Sequence, residues 1–193
     1  GLLDALLAVG DGTAVLRDWA ESVYFGTPYR FSHSRTVGDV TVIAIDGRST
    51  RVLDGRARAM VGPDEWAWVR EQALAAGPHL VLATPLPVFI SDGLHDFQVW
   101  SERICGGAWG RWAAKRGERL RRGLDLEDWS AFERSYRDFV ALVAEIADGP
   151  SPPHAVVVAS GDIHYSYAAR VALPDADVPV WQVVSSPVRN ALI

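Results

Sequence analysis

The chain has 193 residues, of which 49% are hydrophobic and 22% charged, and its formal net charge is −5. These values predict one globular domain with a real core, and the acidic balance disfavours a general nucleic-acid surface, which needs Lys and Arg to neutralise phosphates. The single cysteine, Cys105, excludes an internal disulfide, and no apolar run approaches the roughly 20 residues of a membrane-spanning helix.

Helix and strand signals alternate along the first part of the chain. Residues 11–22 favour a short helix, and the β-branched run 40–46 predicts a buried strand. Residues 62–77 predict a second helix, because Pro63 suits the first helical position, acidic residues follow it and Gly77 provides a stop.

The middle of the chain is less regular. Residues 79–90 begin as a strand that two prolines interrupt. Residues 91–124 show no clean hydrophobic period and contain several glycines, so we predict a long irregular connection, a feature that is usually functional or mobile.

The longest helix is predicted after residue 124. Large apolar residues recur there at intervals of three and four, which is the period of an amphipathic helix. We expect Asp125 to cap its amino end and the proline-rich stretch 149–153 to end it. The residues of this apolar stripe are Trp129, Phe132, Tyr136, Phe139, Val143 and Ile146.

Three β-rich runs close the chain, at residues 154–160, 167–173 and 178–186. Helical segments separate strands 40–46 and 79–84 from each other and from the first of these runs, which favours parallel pairing through crossover connections. The last two runs are close in sequence and suit a meander. The sequence therefore predicts a mixed α/β fold in one unit.

A carboxylate and an imidazole stand where the run 156–160 ends. Asp162 and His164 follow Gly161, and in an extended backbone they would project to the same side. Open α/β sheets bind ligands at the carboxyl ends of parallel strands, and this pair of side chains suits a catalytic metal. The competing interpretation is a Gly-Asp turn with a nearby histidine, and two ligands do not complete a metal site.

A second polar cluster follows strand 40–46. In "DGRSTR", Arg48 and Arg51 come directly after the carboxylate that ends the strand. Guanidinium groups at this position suit an oxyanion such as a phosphoryl group. The alternative is a surface network of ion pairs among Asp46, Arg48, Arg51 and Asp54.

A third polar cluster, "SSPVRN" (185–190), ends the last β run. Other chemistries have weaker support: Ser160 lacks the Gly-x-Ser-x-Gly frame of a serine hydrolase, and Cys105 lacks an activating context. An exposed pair of Trp109 and Trp112 suits a substrate cleft or, more often, loop anchoring.

The order of these motifs resembles the PhoD-like (alkaline phosphatase D) family of the calcineurin-like metallophosphoesterase superfamily. "SGDIH" is similar to that family's Ser-Gly-Asp-Val-His signature, and "DGRSTR" to its Asp-x-Arg-x-x-Arg element. The resemblance runs from about residue 29 to the end of the chain. The other segments that carry it are "GPDEWAWVREQ", "HLVLATPLP", "HDFQVWSE", "DWSAFERSYRDFVALVAEI" and "SSPVRN".

This resemblance implies part of a four-layer αββα sandwich that hydrolyses small-molecule phosphate mono- or diesters. It also implies two divalent or trivalent metal ions at the strand ends, with Ca, Fe, Mn and Zn as candidates. In such a centre the metals activate water for in-line attack at phosphorus and stabilise the entering and leaving oxygens.

The resemblance also implies roles for particular residues. Asp162 and His164 would be metal ligands, and His164, Arg48 and Arg51 would be catalytic residues. Arg48 and Arg51 would contact the phosphate or brace the site. The residues implied for the lining of the substrate pocket are Arg48, Asn190 and, within the "HDFQVW" segment, His95 together with Asp96.

Several elements of the family's pattern are absent from these 193 residues. They are an Asp on an early strand, a Gly-Asp-x-x-(Asp or Tyr) element and a His-Asp turn, so we expect a missing amino-terminal half of the same domain to supply them. Gln98 and Ser101 stand where relatives carry Glu and Asn, and Arg189 where many carry His. The competing class is a non-catalytic binding or scaffold module.

Overall fold

The computed structural model describes residues 2–24, 30–53, 58–123, 128–173 and 177–186. The chain, expected to form one unit, divides into two compact units, residues 1–31 and 32–193. The first unit contains helices α1 (Leu2–Leu7) and α2 (Thr13–Tyr24), and α2 confirms the helix predicted at 11–22. At the start of α2, the Asp11 carboxylate accepts hydrogen bonds from the Thr13 backbone N–H at 3.0 Å and its hydroxyl at 2.6 Å.

The second unit contains one six-stranded mixed sheet with the order β1-β2-β3-β4-β6-β5. Strands β2, β3, β4 and β6 run parallel, and β1 and β5 pair antiparallel at the two edges. The mixed α/β class and the parallel pairing are therefore confirmed. The strands are β1 (His33–Val37), β2 (Val40–Ala44), β3 (His79–Ala83), β4 (Ala155–Ser160), β5 (Tyr167–Val171) and β6 (Val180–Val184).

Strands β1 and β2 form a hairpin that the hydrophobic pattern did not predict. Val37 pairs with Val40, so the loop consists of Gly38 and Asp39 alone. Gly38 has a φ of +58°, and two-residue hairpin loops favour glycine because such angles are disfavoured for other residues.

Helices α3 (Pro63–Leu74) and α6 (Glu133–Ala147) follow the predicted pattern with shifted ends. Helix α3 begins at Pro63 as predicted but ends before Gly77. Helix α6 begins at Glu133, after a 3-10 turn (Trp129–Ala131), and Phe132 occupies its N-cap position. Asp125, which was predicted to cap this helix, lies outside the described residues.

The irregular connection predicted over residues 91–124 is wrong, because two helices lie there. They are α4 (Asp92–Cys105) and α5 (Gly110–Gly123). Two of the three buried residues of α4, Gln98 and Ser101, are polar, and among the residues of α5 whose burial is described the buried one is Gly117. Inward positions occupied by polar and glycine residues conceal the apolar period on which a helix prediction depends.

The two faces of the sheet differ in their cover. On one face, alternate residues of the parallel strands are buried against α3 and α6, whose Val69, Phe139 and Val143 belong to the same core. The buried side chains of this face are Thr41, Ile43, Leu80, Leu82, Val156, Val158, Val180, Gln182 and Val184. On the opposite face the described side chains of the parallel strands are partly or fully exposed, and Trp181 and Val183 of β6 are exposed large apolar residues there.

The partly exposed side is called the open sheet face below, and its members are Val42, Val81, Val157, Trp181 and Val183. The described residues contain a single sheet, so the second sheet of a four-layer sandwich stays a prediction. Within the same described ranges, no helix combines the length and apolar character needed to cross a bilayer.

Gln182 is a fully buried amide on the apolar face of the sheet. Its side-chain oxygen accepts hydrogen bonds from the backbone N–H groups of Val88 and Phe89, each at 3.1 Å. Its amide nitrogen donates to the Val158 carbonyl at 3.0 Å and to Ser160 Oγ at 2.9 Å. One side chain therefore holds the segment after β3 against the ends of β4 and β6.

We expect Gln182→Leu to lower the free energy of unfolding of the full-length protein by about 3 kcal/mol or more. The apolar side chain leaves the buried N–H groups of Val88 and Phe89 without an acceptor. Val183→Thr, on the open sheet face of the same strand, serves as the control and should change stability by less than about 0.5 kcal/mol. Urea denaturation measures both variants, and equal effects would contradict the role given to Gln182.

Candidate functional site

The carboxyl ends of four parallel strands meet at one edge of the sheet. Here the Ser185 N–H donates to the Ser160 carbonyl at 2.9 Å, and the Gly161 N–H donates to the Pro85 carbonyl at 3.2 Å. A Cβ atom on Gly161 would lie only 2.9 Å from the Ser185 carbonyl oxygen. Glycine is therefore required where the chain leaves β4 and passes the end of β6.

Asp162 and His164 both have a φ of +61° and are the only non-glycine residues in the described segments with positive φ. The extended backbone from which their shared direction was predicted is therefore wrong. Asp and His enter the left-handed region more readily than most residues, yet each such residue costs about 1–3 kcal/mol. The Ser186 hydroxyl, 2.9 Å from the His164 N–H, helps to hold this turn.

An ion pair joins the two motifs that carried the family resemblance. Nη2 of Arg48 donates a hydrogen bond to Oδ2 of Asp162, and both side chains are about half exposed. Arg48 follows β2 and Asp162 follows β4, and β3 lies between these strands. The structure thus brings "DGRSTR" and "SGDIH" together at one edge of the sheet.

Asp46 lies two residues after β2, and its carboxylate is held by hydrogen bonds. Its Oδ1 accepts the backbone N–H groups of Arg48 and Ser49, each at 2.9 Å, and its own N–H donates to Ser32 Oγ at 2.9 Å. The Ser32 N–H in turn donates to the buried carboxylate of Glu65 at 3.1 Å. These contacts fix the position of Asp46.

The second oxygen of this carboxylate, Asp46 Oδ2, is buried and has no hydrogen-bond partner among the described residues. A buried carboxylate oxygen without a partner is costly, and carboxylate oxygens are ligands for hard metal ions. Sequence reasoning treated Asp46 only as an ion-pair partner. The sequence places Asp46 at the end of a predicted strand, but it does not show that one of the carboxylate oxygens is buried without a partner.

Arg51 contacts the turn after β2 and the ring of Phe132. Its Nε–H donates to the carbonyl of Gly47, and its guanidinium lies 5.8 Å from the ring centroid of Phe132. Of the two roles implied for this residue, contact with phosphate and bracing, the geometry fits bracing of the turn after β2.

His95 lies on α4 and lines a cavity of about 480 Å³. Its Nδ1 is 2.7 Å from Ser130 Oγ, and its ring centroid is 4.6 Å from that of Tyr136. The rings of Tyr165 and Tyr167 stack at 5.7 Å in the same cavity, and Tyr165 directly follows His164. An aromatic cavity of this size beside the strand ends suits a small organic group.

Burial raises the pKa of Tyr167, and the nearby Tyr165 and Asp128 raise this pKa further. The phenol therefore stays protonated at neutral pH and donates to the carbonyl of Phe89. Burial likewise raises the pKa of Tyr165, with a further contribution from Asp128. The cavity wall thus presents neutral phenols and carries no tyrosinate charge.

A larger cavity, of about 670 Å³, lies between α4 and α6 and is lined by charged residues. Arg103 and Glu133 form an ion pair across it at 2.8 Å, and Arg137 pairs with the same carboxylate. Because none of the predicted site residues lines this cavity, the smaller cavity at His95 is the better candidate for a substrate.

Some predicted residues lie elsewhere or cannot be placed. Asn190 and Arg189 fall outside the described residues, as does Asp54. Gln98 and Ser101 are buried on the inner side of α4, and the Gln98 amide donates to Asp128 at 2.7 Å. Asp96, on the same helix, is exposed.

In the part of the chain that the structure describes, no group of three His, Cys, Asp or Glu residues is arranged to hold a metal ion. Comparison with protein-family models, with curated proteins and with solved structures found no match to this chain. The functional interpretation therefore depends on the geometry at the strand ends and on the motif resemblance.

The two arginines of "DGRSTR" should differ in their effect on stability. We expect Arg51→Ala to lower the free energy of unfolding by about 1–2 kcal/mol, because the hydrogen bond to Gly47 and the contact with Phe132 are lost. Arg48→Ala should cost less than about 1 kcal/mol, since a half-exposed ion pair contributes little. Chemical denaturation of the full-length variants measures both values, and the reverse order would contradict the assignment of Arg51 as the bracing residue.

Proposed function

We propose that this chain is the carboxyl-terminal part of a PhoD-like metallophosphatase domain that hydrolyses phosphate mono- or diesters. The observation that carries the proposal is the pairing of Arg48 with Asp162 at the shared carboxyl edge of the sheet. Two motifs that are far apart in sequence meet where α/β sheets bind ligands. Each motif alone has an explanation that involves no active site, namely a Gly-Asp turn with a nearby histidine or a surface network of ion pairs. Their contact at this edge of the sheet supports a single site.

The donor atoms at this edge fit a metal ion in type. Asp162 offers a carboxylate, His164 an imidazole, and Asp46 a buried carboxylate oxygen without a partner among the described residues. The set is incomplete, so the proposed amino-terminal half would contribute the remaining ligands for two divalent or trivalent ions. Such ions, when bound, supply an activated water and positive charge at the phosphoryl group.

Within this proposal Arg48 binds the phosphoryl group. Its half-exposed guanidinium lies beside Asp162 and presents N–H groups in a planar fork that matches two phosphoryl oxygens. Positive charge fixed in place before the reaction stabilises the negative charge that develops on these oxygens. Arg51 acts through the turn that positions Arg48, and so it is a positioning residue.

The aromatic cavity at His95 would hold the organic part of the ester. Tyr165 forms part of its wall and is the next residue after His164, so the cavity begins one residue from a proposed ligand. Its aromatic walls suit the apolar part of an alcohol, and His95, Asp92 and Arg170 are polar groups of the lining that could orient it.

The open sheet face would be covered by the missing half of the same domain. Val42, Val81 and Val157 form a row across three strands there, and Trp181 continues the row on β6. A contiguous apolar surface of this kind marks an interaction site. A second sheet packed on it would complete the αββα arrangement that the family resemblance implies.

The alternative is a non-catalytic module that keeps the fold. The absence of a three-ligand cluster from the described residues favours it. The sequence upstream of this segment distinguishes the two: an Asp on an early strand and a His-Asp turn support the enzyme, and their absence supports the binding module.

We expect His164→Ala in the full-length protein to lower the bound metal and to slow phosphoester hydrolysis by about a hundredfold or more. His79→Ala and His154→Ala are matched controls, because both residues lie at the amino ends of strands, with ring centroids 5.4 Å apart. Elemental analysis and assays with a model monoester and diester provide the measurements. Unchanged metal content together with an unchanged rate for His164→Ala would contradict the site assignment.

We expect residues 1–193 in isolation to self-associate and to lack phosphatase activity. The open sheet face exposes apolar side chains, and the described ligands are too few for two metals. Replacing Trp181 by Gln and Val183 by Thr should raise the monomer fraction in sedimentation velocity. A monomer of the unaltered chain that hydrolyses a phosphoester in a metal-dependent way would show that the other ligands lie within this segment.

A further inference from the structure

Helix α5 concentrates positive charge in an acidic chain. Of its 14 residues, six are Arg or Lys and one is Glu, whereas the whole chain has a net charge of −5. Lys115, Arg116 and Arg119 are exposed. A short basic helix with apolar residues on its surface is typical of helices that lie on anionic surfaces.

Three exposed tryptophans lie on α4 and around the start of α5. Trp109 is 66% exposed and Trp112 70%, and Trp100 of α4 is exposed as well. The rings of Trp100 and Trp109 meet edge-on at 5.9 Å, and the Arg116 guanidinium lies 4.1 Å from the ring centroid of Trp112. Exposed apolar side chains that cluster in this way mark an interaction surface.

The packing of α5 on α4 determines which side of the helix faces outward. Gly117 is buried, and a Cβ atom there would lie 2.8 Å from Cγ2 of Ile104 and 3.3 Å from Sγ of Cys105. With Gly117 turned inward, Trp112 and Arg116 remain outside. The outward surface, called the tryptophan face below, consists of Trp100, Trp109, Trp112, Lys115, Arg116, Arg119 and Leu120.

The tryptophan face belongs to the helical side of the sheet. Helix α4 packs on the 3-10 turn, whose buried Trp129 donates to Thr84 Oγ1 at 3.1 Å and meets the Phe139 ring at 4.9 Å. Trp129 and Phe139 belong to the core between the sheet and its helices. A cover on the open sheet face, on the other side, would leave the tryptophan face exposed.

We propose that the tryptophan face binds the surface of a membrane that contains anionic phospholipids. Indole rings favour the level of the lipid headgroups, and Lys and Arg extend their charges toward lipid phosphates while their stems stay in apolar surroundings. Leu120 adds an aliphatic group that can enter the acyl boundary. The same group would gain little against the bases of a nucleic acid, where planar rings stack.

This binding is peripheral, in keeping with the finding that no described helix is suited to cross a bilayer. It is independent of the proposed hydrolysis, because no predicted metal ligand or phosphate-binding residue belongs to the tryptophan face. The binding partner of the tryptophan face is thus a lipid surface. Binding combines the insertion of apolar side chains with the attraction between basic side chains and anionic headgroups.

The test is sedimentation of the full-length protein with vesicles of phosphatidylcholine, with and without phosphatidylglycerol. We expect binding to the anionic vesicles, weaker binding at high salt and little binding to pure phosphatidylcholine. Replacing Lys115, Arg116 and Arg119 together by Gln should reduce binding by about a hundredfold, since each charge near the surface contributes about fivefold. Trp109→Ala with Trp112→Ala should reduce it by about tenfold or more.

The matched control replaces three exposed arginines elsewhere, Arg35, Arg70 and Arg134, by Gln, which removes the same charge and should leave binding nearly unchanged. Circular dichroism and the Tm verify that each variant is folded. Phospholipids brominated on the acyl chain should quench tryptophan fluorescence in the unaltered protein and much less in the double tryptophan variant.

Three outcomes would overturn the proposal: no vesicle binding, equal binding to neutral vesicles, or equal loss in the control variant. An oligonucleotide that binds through the same residues, with no vesicle binding, would assign the surface to a different polyanion. Loss of hydrolysis in the His164→Ala protein with vesicle binding retained would leave this inference in place, so the two proposals fail separately.

Discussion

The buried amide of Gln182 is the contact on which the arrangement of the strand ends depends. It satisfies the backbone of residues 88 and 89 and also bonds to the last residues of β4, so three segments from distant parts of the chain share one hydrogen-bonding group. An apolar residue at this position would fill the same space but would leave donors buried without acceptors. A polar group in an apolar core thus specifies where the chain leaves β4 and where Gly161 approaches β6, and the positions of Asp162 and His164 follow from it.

Strands β2, β3 and β4 were predictable because they are short apolar runs separated by helical segments, whereas the parallel pairing of β6 with β4 was not predicted. The helix at Pro63 was predictable for a different reason, since proline and acidic residues mark a first turn. Helices α4 and α5 were not, because their inward positions include Gln98, Ser101 and Gly117, which carry no hydrophobic signal. The hairpin at Gly38 was missed although a Gly-Asp pair between two β-branched runs is a turn signal.

For the candidate site, the sequence predicted which residues lie at the strand ends but not how they lie. Asp162 and His164 were located correctly, yet periodicity contains no information about a positive φ at a non-glycine residue. The sequence also could not predict the different contacts of Arg48 and Arg51, because both arginines follow the same strand. Only the tertiary structure shows that Arg48 pairs with Asp162 and that Arg51 bonds to the carbonyl of Gly47. Asp46 gained its significance from an unsatisfied atom, a property that only three-dimensional packing reveals. Backbone strain and an unsatisfied carboxylate at one edge are costs that folds tolerate mainly at functional positions.

The two edge strands of the sheet have a consequence for how the molecule can associate. Each is five residues long, and each carries an exposed arginine, Arg35 on β1 and Arg170 on β5. Short edges with charged side chains resist the addition of another strand by backbone pairing. Lateral growth of the sheet into a ribbon or fibril is therefore disfavoured at both ends. A partner protein is instead expected to pack on a face of the sheet. In that orientation the fit between side chains, and not main-chain hydrogen bonding, determines which partner surface binds.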